Sequence, residues 1–261
     1  MMVMYVAGID IGSATTKAVV CENGEVAGKA IVRSGVNPKE TAEAVLAAAL
    51  DQAQIDMADL NRVVTTGYGR RAVDFGTDVV TEISCAASGA FILGFPWGKP
   101  KLVVDLGGQD TKVILLDAGG GVADFSMNDK CAAGTGRFLE VMAGILDVPL
   151  DELGSVSQRA STPVQINSTC TVFAESEVIS LIARGTRKED IVAGLHAAIA
   201  GRIMTMVRQM GGYDVFFNGG GARNSGVCRA IEELLGYRLY VPPEPQFVVA
   251  LGAALIAARS S

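Results

Sequence analysis

VAGIDIGSATTKAVV (residues 6–20) is answered later in the chain by LVVDLGGQDTKVILL (residues 102–116). Each stretch runs from apolar residues into an aspartate, through a glycine-bearing turn to Thr-Lys, and into a second apolar run. Asp105 follows Asp10 by 95 positions. Short apolar runs bounded by turn residues read as buried strands. Each stretch is therefore a strand–turn–strand unit, and its repetition marks an internal duplication. An α/β fold built from two related halves is the expectation.

The other elements fall around these two units. Val3–Ile11, Lys17–Cys21 and Glu25–Arg33 read as strands, the latter two joined by an Asn23-Gly24 hairpin turn. Gly12–Thr16 is the first turn. Pro38 opens a helix to about Gln54, Arg62–Thr66 is a strand, and a helix covers about Ser84–Leu93. FPWGKP (residues 95–100) is the strongest punctuation before the pattern restarts. Lys101–Leu106, Lys112–Asp117 and Val122–Met127 repeat the three strands. Helices follow at about Gly136–Leu146, Val172–Ala183 and Lys188–Met210. Asp214–Asn218 is a strand, Gly219-Gly220-Gly221 a turn, and a helix starts near Asn224. Arg238–Val241 is a short strand and Gln246–Arg259 the last helix, where Gly252 among alanines suits tight contact with another helix.

Composition narrows the function classes. A chain of 261 residues that is 49% hydrophobic can bury a large core. A net charge of −6 with no basic run argues against a nucleic-acid partner. The N-terminus shows no basic region or cleavage site, so no signal peptide is read. The longest apolar stretch, Val248–Ala258, is shorter than the ~20 residues of a membrane span, so no membrane association is expected. The cysteines (Cys21, Cys85, Cys131, Cys170 and Cys228) form no CxxC pair and are odd in number. Thiols of that kind point to a reducing cytoplasm.

The turns suit phosphates. Turn N–H groups bind phosphate oxygens, hydroxyls such as those of Ser13 and Thr15 add donors, and Lys17 or Lys112 adds charge. The candidate nucleotide contacts are Gly12, Ser13, Ala14, Thr15, Thr16 and Lys17 in the first turn, and Gly107, Gly108 and Gln109 in the second. Gly219, Gly220 and Gly221 would let backbone approach a nucleoside, with Gln246 at the head of the last helix. Asp10 and Asp105 are oxygen ligands suited to hydrated Mg²⁺, and Gln109 is a candidate for positioning an attacking water. No GxxxxGK[ST] occurs, so this is not a P-loop protein. Taken singly, each turn also reads as an ordinary hairpin or β–α connection. Duplicated and in order, the turns resemble the phosphate 1, phosphate 2 and adenosine motifs of the actin/hexokinase/acetate-kinase superfamily. That resemblance implies two ribonuclease-H-like domains with ATP in the interdomain cleft. The first would be residues 1–98 plus 246–261, because VALGAA (residues 249–254) is similar to the superfamily's second connecting helix. The second would be residues 99–245.

Cys21, Cys85 and Cys228 read as small buried hydrophobes, and His196 as a helix-face residue. Cys131, in MNDKCAAGTGRF, and Cys170, in STCTVF, lie among small or hydroxyl residues just ahead of helices. A thiolate there is favoured by helix N–H groups. Three readings stand open for the pair: helix-start thiols with no cofactor, zinc ligands, or half of a [4Fe–4S] site. Zinc is poorly served by two cysteines and one histidine. A [4Fe–4S] cluster takes four thiolates, which a two-fold dimer would supply.

MNDKCAAGTGRFLEVMA and INSTCTVFAESEVISL resemble the ATPase/activator component of the 2-hydroxyacyl-CoA dehydratases, in one family with the ATPase subunits of benzoyl-CoA reductase. GIDIGS (8–13), TGYGR (66–70), TEISC (81–85) and DLGGQD (105–110) match as well, and the likeness spans essentially the whole chain. It implies a homodimer with one bridging [4Fe–4S] cluster held by Cys131 and Cys170 of each subunit. It implies ATP- and Mg²⁺-dependent transfer of single low-potential electrons, taken from a donor such as ferredoxin or flavodoxin, to a partner iron–sulfur enzyme. A dehydratase is the expected partner; a double-cubane cluster protein or another low-potential reductase is the alternative. A small-molecule kinase and a non-redox ATPase are the competing classes. Glu175 and Glu177, which follow Cys170, are either solvated helix face or a coupling element. Ala86 stands where many relatives carry His after the TEISC cysteine, so Cys85 is given no ligand role.

Overall fold

The computed structural model describes residues 3–166 and 170–259. The elements follow the duplicated pattern. In the first half they are β1 (Tyr5–Ile11), β2 (Thr15–Glu22), β3 (Glu25–Arg33), α1 (Pro38–Ala53), β4 (Leu60–Thr66), β5 (Asp78–Val79) and α2 (Glu82–Leu93). The second half brings β6 (Leu102–Leu106), β7 (Thr111–Leu116), β8 (Val122–Asn128), α3 (Gly136–Leu146), α4 (Leu153–Ser157), α5 (Thr171–Ala183) and α6 (Lys188–Gln209). It continues with β9 (Val215–Asn218), α7 (Ser225–Leu235), β10 (Leu239–Tyr240) and α8 (Val248–Arg259).

The duplication is complete at the level of topology. One five-stranded sheet has the order β3-β2-β1-β4-β5; the other, β10-β9-β6-β7-β8, is the same order read from its other edge. In each sheet the central strand is antiparallel to the next strand in sequence (β1 to β2, β6 to β7). On its other side it is parallel to a strand that returns after a helix (β1 to β4, β6 to β9). The chain divides into two compact units, residues 1–100 with 116–123 and 246–261, and residues 101–115 with 124–245.

Local chemistry sets the boundaries. Asn37 caps α1 by accepting from the Lys39 and Glu40 N–H groups, and Pro38 occupies the first turn where no N–H is needed. Thr15 and Thr16 belong to β2, paired with Arg33 and Val32, so the first turn is shorter than the expected Gly12–Thr16. The last helix begins at Val248, two residues later than expected. The two-residue β5 and five-residue α4 carry no periodicity that a sequence could reveal.

In the first unit, α1 packs its Ala42, Val45, Leu46 and Ala49 against Ala7, Ile9, Ile11, Ala18 and Val20. On the opposite face α8 lies against β1 and α2. A Cβ at Gly8 would stand 2.1 Å from the Ala250 carbonyl, and one at Gly252 would stand 1.8 Å from that of Cys85. Backbone touches backbone there, as Gly252 among alanines suggested. The second unit's core joins β6, β7 and β9 to α3, α5, α6 and α7. Among the described residues, α6 is the one helix long and apolar enough to cross a membrane. Its buried residues, Ile191 through Val207, belong to the core of its own unit.

Candidate nucleotide turns and an exposed cysteine pair

The two aspartates hold equivalent stations. Asp10 sits opposite Lys17 across β1–β2, and Asp105 opposite Lys112 across β6–β7. Lys17 Nζ donates to Asp10 Oδ2 at 2.9 Å. Lys112 Nζ turns to Asp110 at 2.6 Å and lies 4.0 Å from Asp105. All three of Asp10, Asp105 and Lys112 are buried. On the parallel side, Asp10 is level with Thr66 and Asp105 with Asn218. A glycine at positive φ follows each partner, Gly67 at 93° and Gly219 at 89°. A Cβ on Gly67 would fall 2.5 Å from the Ile11 carbonyl, and one on Gly219 would fall 2.4 Å from Asp105 Oδ1. Each chain turns sharply there and crosses close behind its aspartate.

Buried polar atoms without partners collect at these strand ends. Asp10 Oδ1 and both amide atoms of Asn218 are buried with no hydrogen-bond partner. Leaving such atoms unsatisfied costs roughly 1–3 kcal/mol each. Their position, at the carboxyl ends of parallel strands, is where open α/β sheets bind ligands. Within the first unit, a hydrated cation or the donor of a bound ligand would satisfy the Asp10 carboxylate; within the second, a ligand's polar atoms would satisfy the Asn218 amide.

The remaining predicted turn residues divide in role. Ser13 and Gln109 are exposed, and Gly12, Ala14, Thr15, Gly107 and Gly108 half-buried. Thr16 is buried, and its hydroxyl shares a 3.0 Å hydrogen bond with that of Ser34, which donates to the Gly12 carbonyl at 2.6 Å. Its side chain braces the turn from behind. Gly220 is exposed in a short 3₁₀ turn, whereas Gly221 is buried and a Cβ there would strike Leu106. Gly221 thus serves packing against Leu106. Gln246 is half-buried ahead of α8.

Among the five cysteines, only Cys131 and Cys170 are exposed. Both belong to the second unit. Cys131 is not at a helix start, contrary to expectation: it stands five residues before α3, in a loop. Its N–H donates to Asn128 Oδ1 at 3.2 Å and its carbonyl accepts from Asn128 Nδ2 at 2.9 Å. The chain then folds back, with the Gly134 and Thr135 N–H groups both on the Ala132 carbonyl. Arg202 of α6, which sequence reasoning did not single out, packs its stem beside Gly134 and its guanidinium over Phe138, 5.8 Å from the ring centre. Burial holds the Arg202 pKa below its usual value, and the Cys131 charge opposes that effect.

Cys170 caps α5 directly. The approach to it is moored by Asp190, whose Oδ1 accepts from the Ser161 and Thr162 N–H groups at 2.8 Å each. Asn167, Ser168 and Thr169 of the INSTC motif lie outside the described residues. Along α5 only Ala174 and Val178 are buried, while Val172, Phe173, Ile179 and Ile182 are exposed. Glu175 and Glu177 are half-buried on the same helix.

The other thiols are held inert. Burial pushes Cys21 and Cys228 up to about 11 and Cys85 up to about 12. His196 faces inward rather than lying on an open helix face, with both ring nitrogens unpartnered. Among the described residues, no group of three or more His, Cys, Asp or Glu side chains is placed to hold a metal.

The model of the BadF/BadG/BcrA/BcrD ATPase family matches residues 7–257. The chain is 42% identical, over 100% of its own length and 99% of the relative's, to the (R)-2-hydroxyglutaryl-CoA dehydratase activating ATPase of Acidaminococcus fermentans. Its structure is similar to that of the activator of the 2-hydroxyisocaproyl-CoA dehydratase from Clostridium difficile with bound ADPNP. The TM-score is 0.93 at 42% identity, covering 98% of this chain and 95% of that one. A ROK family glucokinase from Streptomyces griseus, at 16% identity and a TM-score of 0.58 over 98% of this chain and 100% of that one, shares the fold.

Proposed function

The chain belongs to the BadF/BadG/BcrA/BcrD ATPase family, and from that membership we propose that it is an ATP-dependent reductive activator. It would pass single low-potential electrons to a partner iron–sulfur enzyme, with a 2-hydroxyacyl-CoA dehydratase as that partner. The observation that carries this reading is the full-length likeness to a dehydratase activating ATPase.

Nucleotide binding follows from an ATPase family. The turns after Asp10 and Asp105 would hold phosphates through Gly12–Lys17 and Gly107–Gln109, with Gly219–Gly221 and Gln246 toward the nucleoside. Asp10 and Asp105 would hold a hydrated Mg²⁺. The unpartnered Asp10 Oδ1 and Asn218 amide support that role by their chemistry. Gln109, exposed in its turn, is free of the core to orient water.

Cys131 and Cys170 fit an iron–sulfur cluster by donor type, exposure and membership of one unit. A [4Fe–4S] cluster takes four thiolates, so a second copy of the chain would complete the set. The exposed apolar side chains of α5, immediately after Cys170, support that cover. When bound, the cluster supplies one-electron transfer. Asn128 fixes the backbone at Cys131, Asp190 anchors the approach to Cys170, and Arg202 contributes positive charge beside the first thiolate. Ferredoxin or flavodoxin would serve as the electron donor, and five free thiols fit a reducing cytoplasm.

The test is anaerobic, with the iron–sulfur enzyme that co-purifies with this chain as acceptor and a low-potential reductant as donor. Acceptor activity should require ATP, and Cys131→Ser should lose both that activity and the protein-bound iron. Activation without ATP, or iron retained at the unaltered level in the variant, contradicts the proposal.

A further inference from the structure

The second phosphate turn is hydrogen-bonded to the Cys131 loop within a single unit. The Gly107 carbonyl accepts from the Gly136 N–H at 2.8 Å, and the Gly108 carbonyl from the Arg137 N–H at 2.8 Å. Gly136 and Arg137 open α3. Thr111, 1% exposed at the start of β7, donates its hydroxyl to the Gly134 carbonyl at 2.5 Å. From Gly134 the chain is tied back to Ala132 by the Gly134 and Thr135 N–H groups, and Thr135 Oγ adds a third bond to the same carbonyl at 2.7 Å. Asn128 then brackets the backbone of Cys131 itself.

The geometry of the peptide group gives this strap a direction. No peptide bond here is cis, so C=O and N–H point to opposite sides of each planar unit. The peptide between Gly107 and Gly108 and the one between Gly108 and Gln109 turn their carbonyls onto the start of α3. Their N–H groups, those of Gly108 and Gln109, therefore face the opposite side. Those are the donors that the nucleotide reading assigns to phosphate. A phosphate taken up or lost at these N–H groups would reorient the two peptide planes that hold α3 and, through Thr111, the Gly134 bend.

We infer that Thr111 is a positioning residue that couples the occupant of the second phosphate turn to the Cys131 loop, through the Gly107–Thr111 strap and inside one unit. The inference rests on the nucleotide reading above. It requires neither a cluster in place nor any movement between the units.

The test is hydrogen exchange of the 132–137 amides in the full-length protein without iron, saturated with ADP or with non-hydrolysable ADPNP. Exchange should differ between the two nucleotides by roughly five- to tenfold, the scale of one or two hydrogen bonds gained or lost. Thr111→Val keeps the branched shape of a strand residue and removes the donor; the difference should vanish. Thr111→Ser restores a hydroxyl and should restore the difference, which a role in packing alone would not. Nucleotide affinity, measured on the same samples, should stay within about twofold in both variants, because Thr111 makes no proposed ligand contact. A difference that survives in Thr111→Val, a Thr111→Ser protein as defective as Thr111→Val, or equal exchange with both nucleotides bound in the unaltered protein overturns the inference. Should Thr111→Val fold poorly, Thr111→Ala removes the same donor without adding bulk, and the nucleotide difference should vanish in it as well; a difference that survives there overturns the inference. Failure of the ATPase reading would show separately, as no binding of either nucleotide.

Discussion

Exposure grades the cysteines: two are open to solvent, Cys228 is half-buried, and Cys21 and Cys85 are buried. Cys131 and Cys170 are open to solvent, while burial raises the pKa of Cys21, Cys85 and Cys228 and keeps them protonated. Only thiolates react at an appreciable rate. Iodoacetamide added to the native, iron-free protein should therefore modify Cys131 and Cys170 first, with the other three labelled only after denaturation. Peptide mass spectrometry that finds Cys85 modified as fast as Cys131 would contradict this. Asp10, Lys17, Asp105 and Lys112 were legible in the sequence because each pair lies within one short motif. Thr66 and Asn218 were not, because their importance arises from register: each is level with an aspartate on a parallel strand far away in the chain. The pattern could have exposed them, since each ends a strand immediately before a glycine. Cys131 was misplaced at a helix start because Gly134 and Thr135 look like an N-terminal helix signal, yet they fold back on Ala132 before the helix begins.

At the scale of elements, α6 binds the second unit together. It packs eight apolar residues into the core, supplies Arg202 beside the Cys131 loop, and anchors the approach to Cys170 through Asp190. It also buries the chain's one histidine. Burial pulls the His196 imidazole from 6.5 down to about 4. Between those values the unfolded chain binds a proton that the folded chain refuses. His196 thus costs no stability above about pH 6.5, and stability falls as pH drops through that value toward 4. By pH 5 the loss is about 2 kcal/mol. Urea midpoints at pH 8 and pH 5 should show it, and His196→Gln should remove that part of the slope; an unchanged slope in the variant would refute the assignment. The long elements were legible because caps such as Asn37 and periodic apolar faces fix them locally. The helix at 153–157 and the strand at 78–79 are held by packing that no local pattern announces.

For the whole molecule, duplication is the organising fact. The same five-strand order, the same aspartate–lysine register and the same glycine turn appear in both sheets. The halves then diverge. The second sheet's unit adds the two exposed cysteines and an α5 whose outer face is apolar, features with no counterpart in the first. That divergence was visible in the sequence as two motifs standing outside the repeat. What sequence could not supply was the hydrogen-bonded path from Gly107 to Cys131, which joins the repeated part to the added part. The proposed function turns on two copies of this chain sharing one [4Fe–4S] cluster through Cys131 and Cys170. Native mass spectrometry of the anaerobically purified protein tests it in a single spectrum. One species with the mass of two chains plus one Fe₄S₄ unit is expected, and loss of that unit in Cys170→Ser. A monomer carrying a complete cluster, or a dimer without iron that cannot be reconstituted with iron and sulfide, would contradict it.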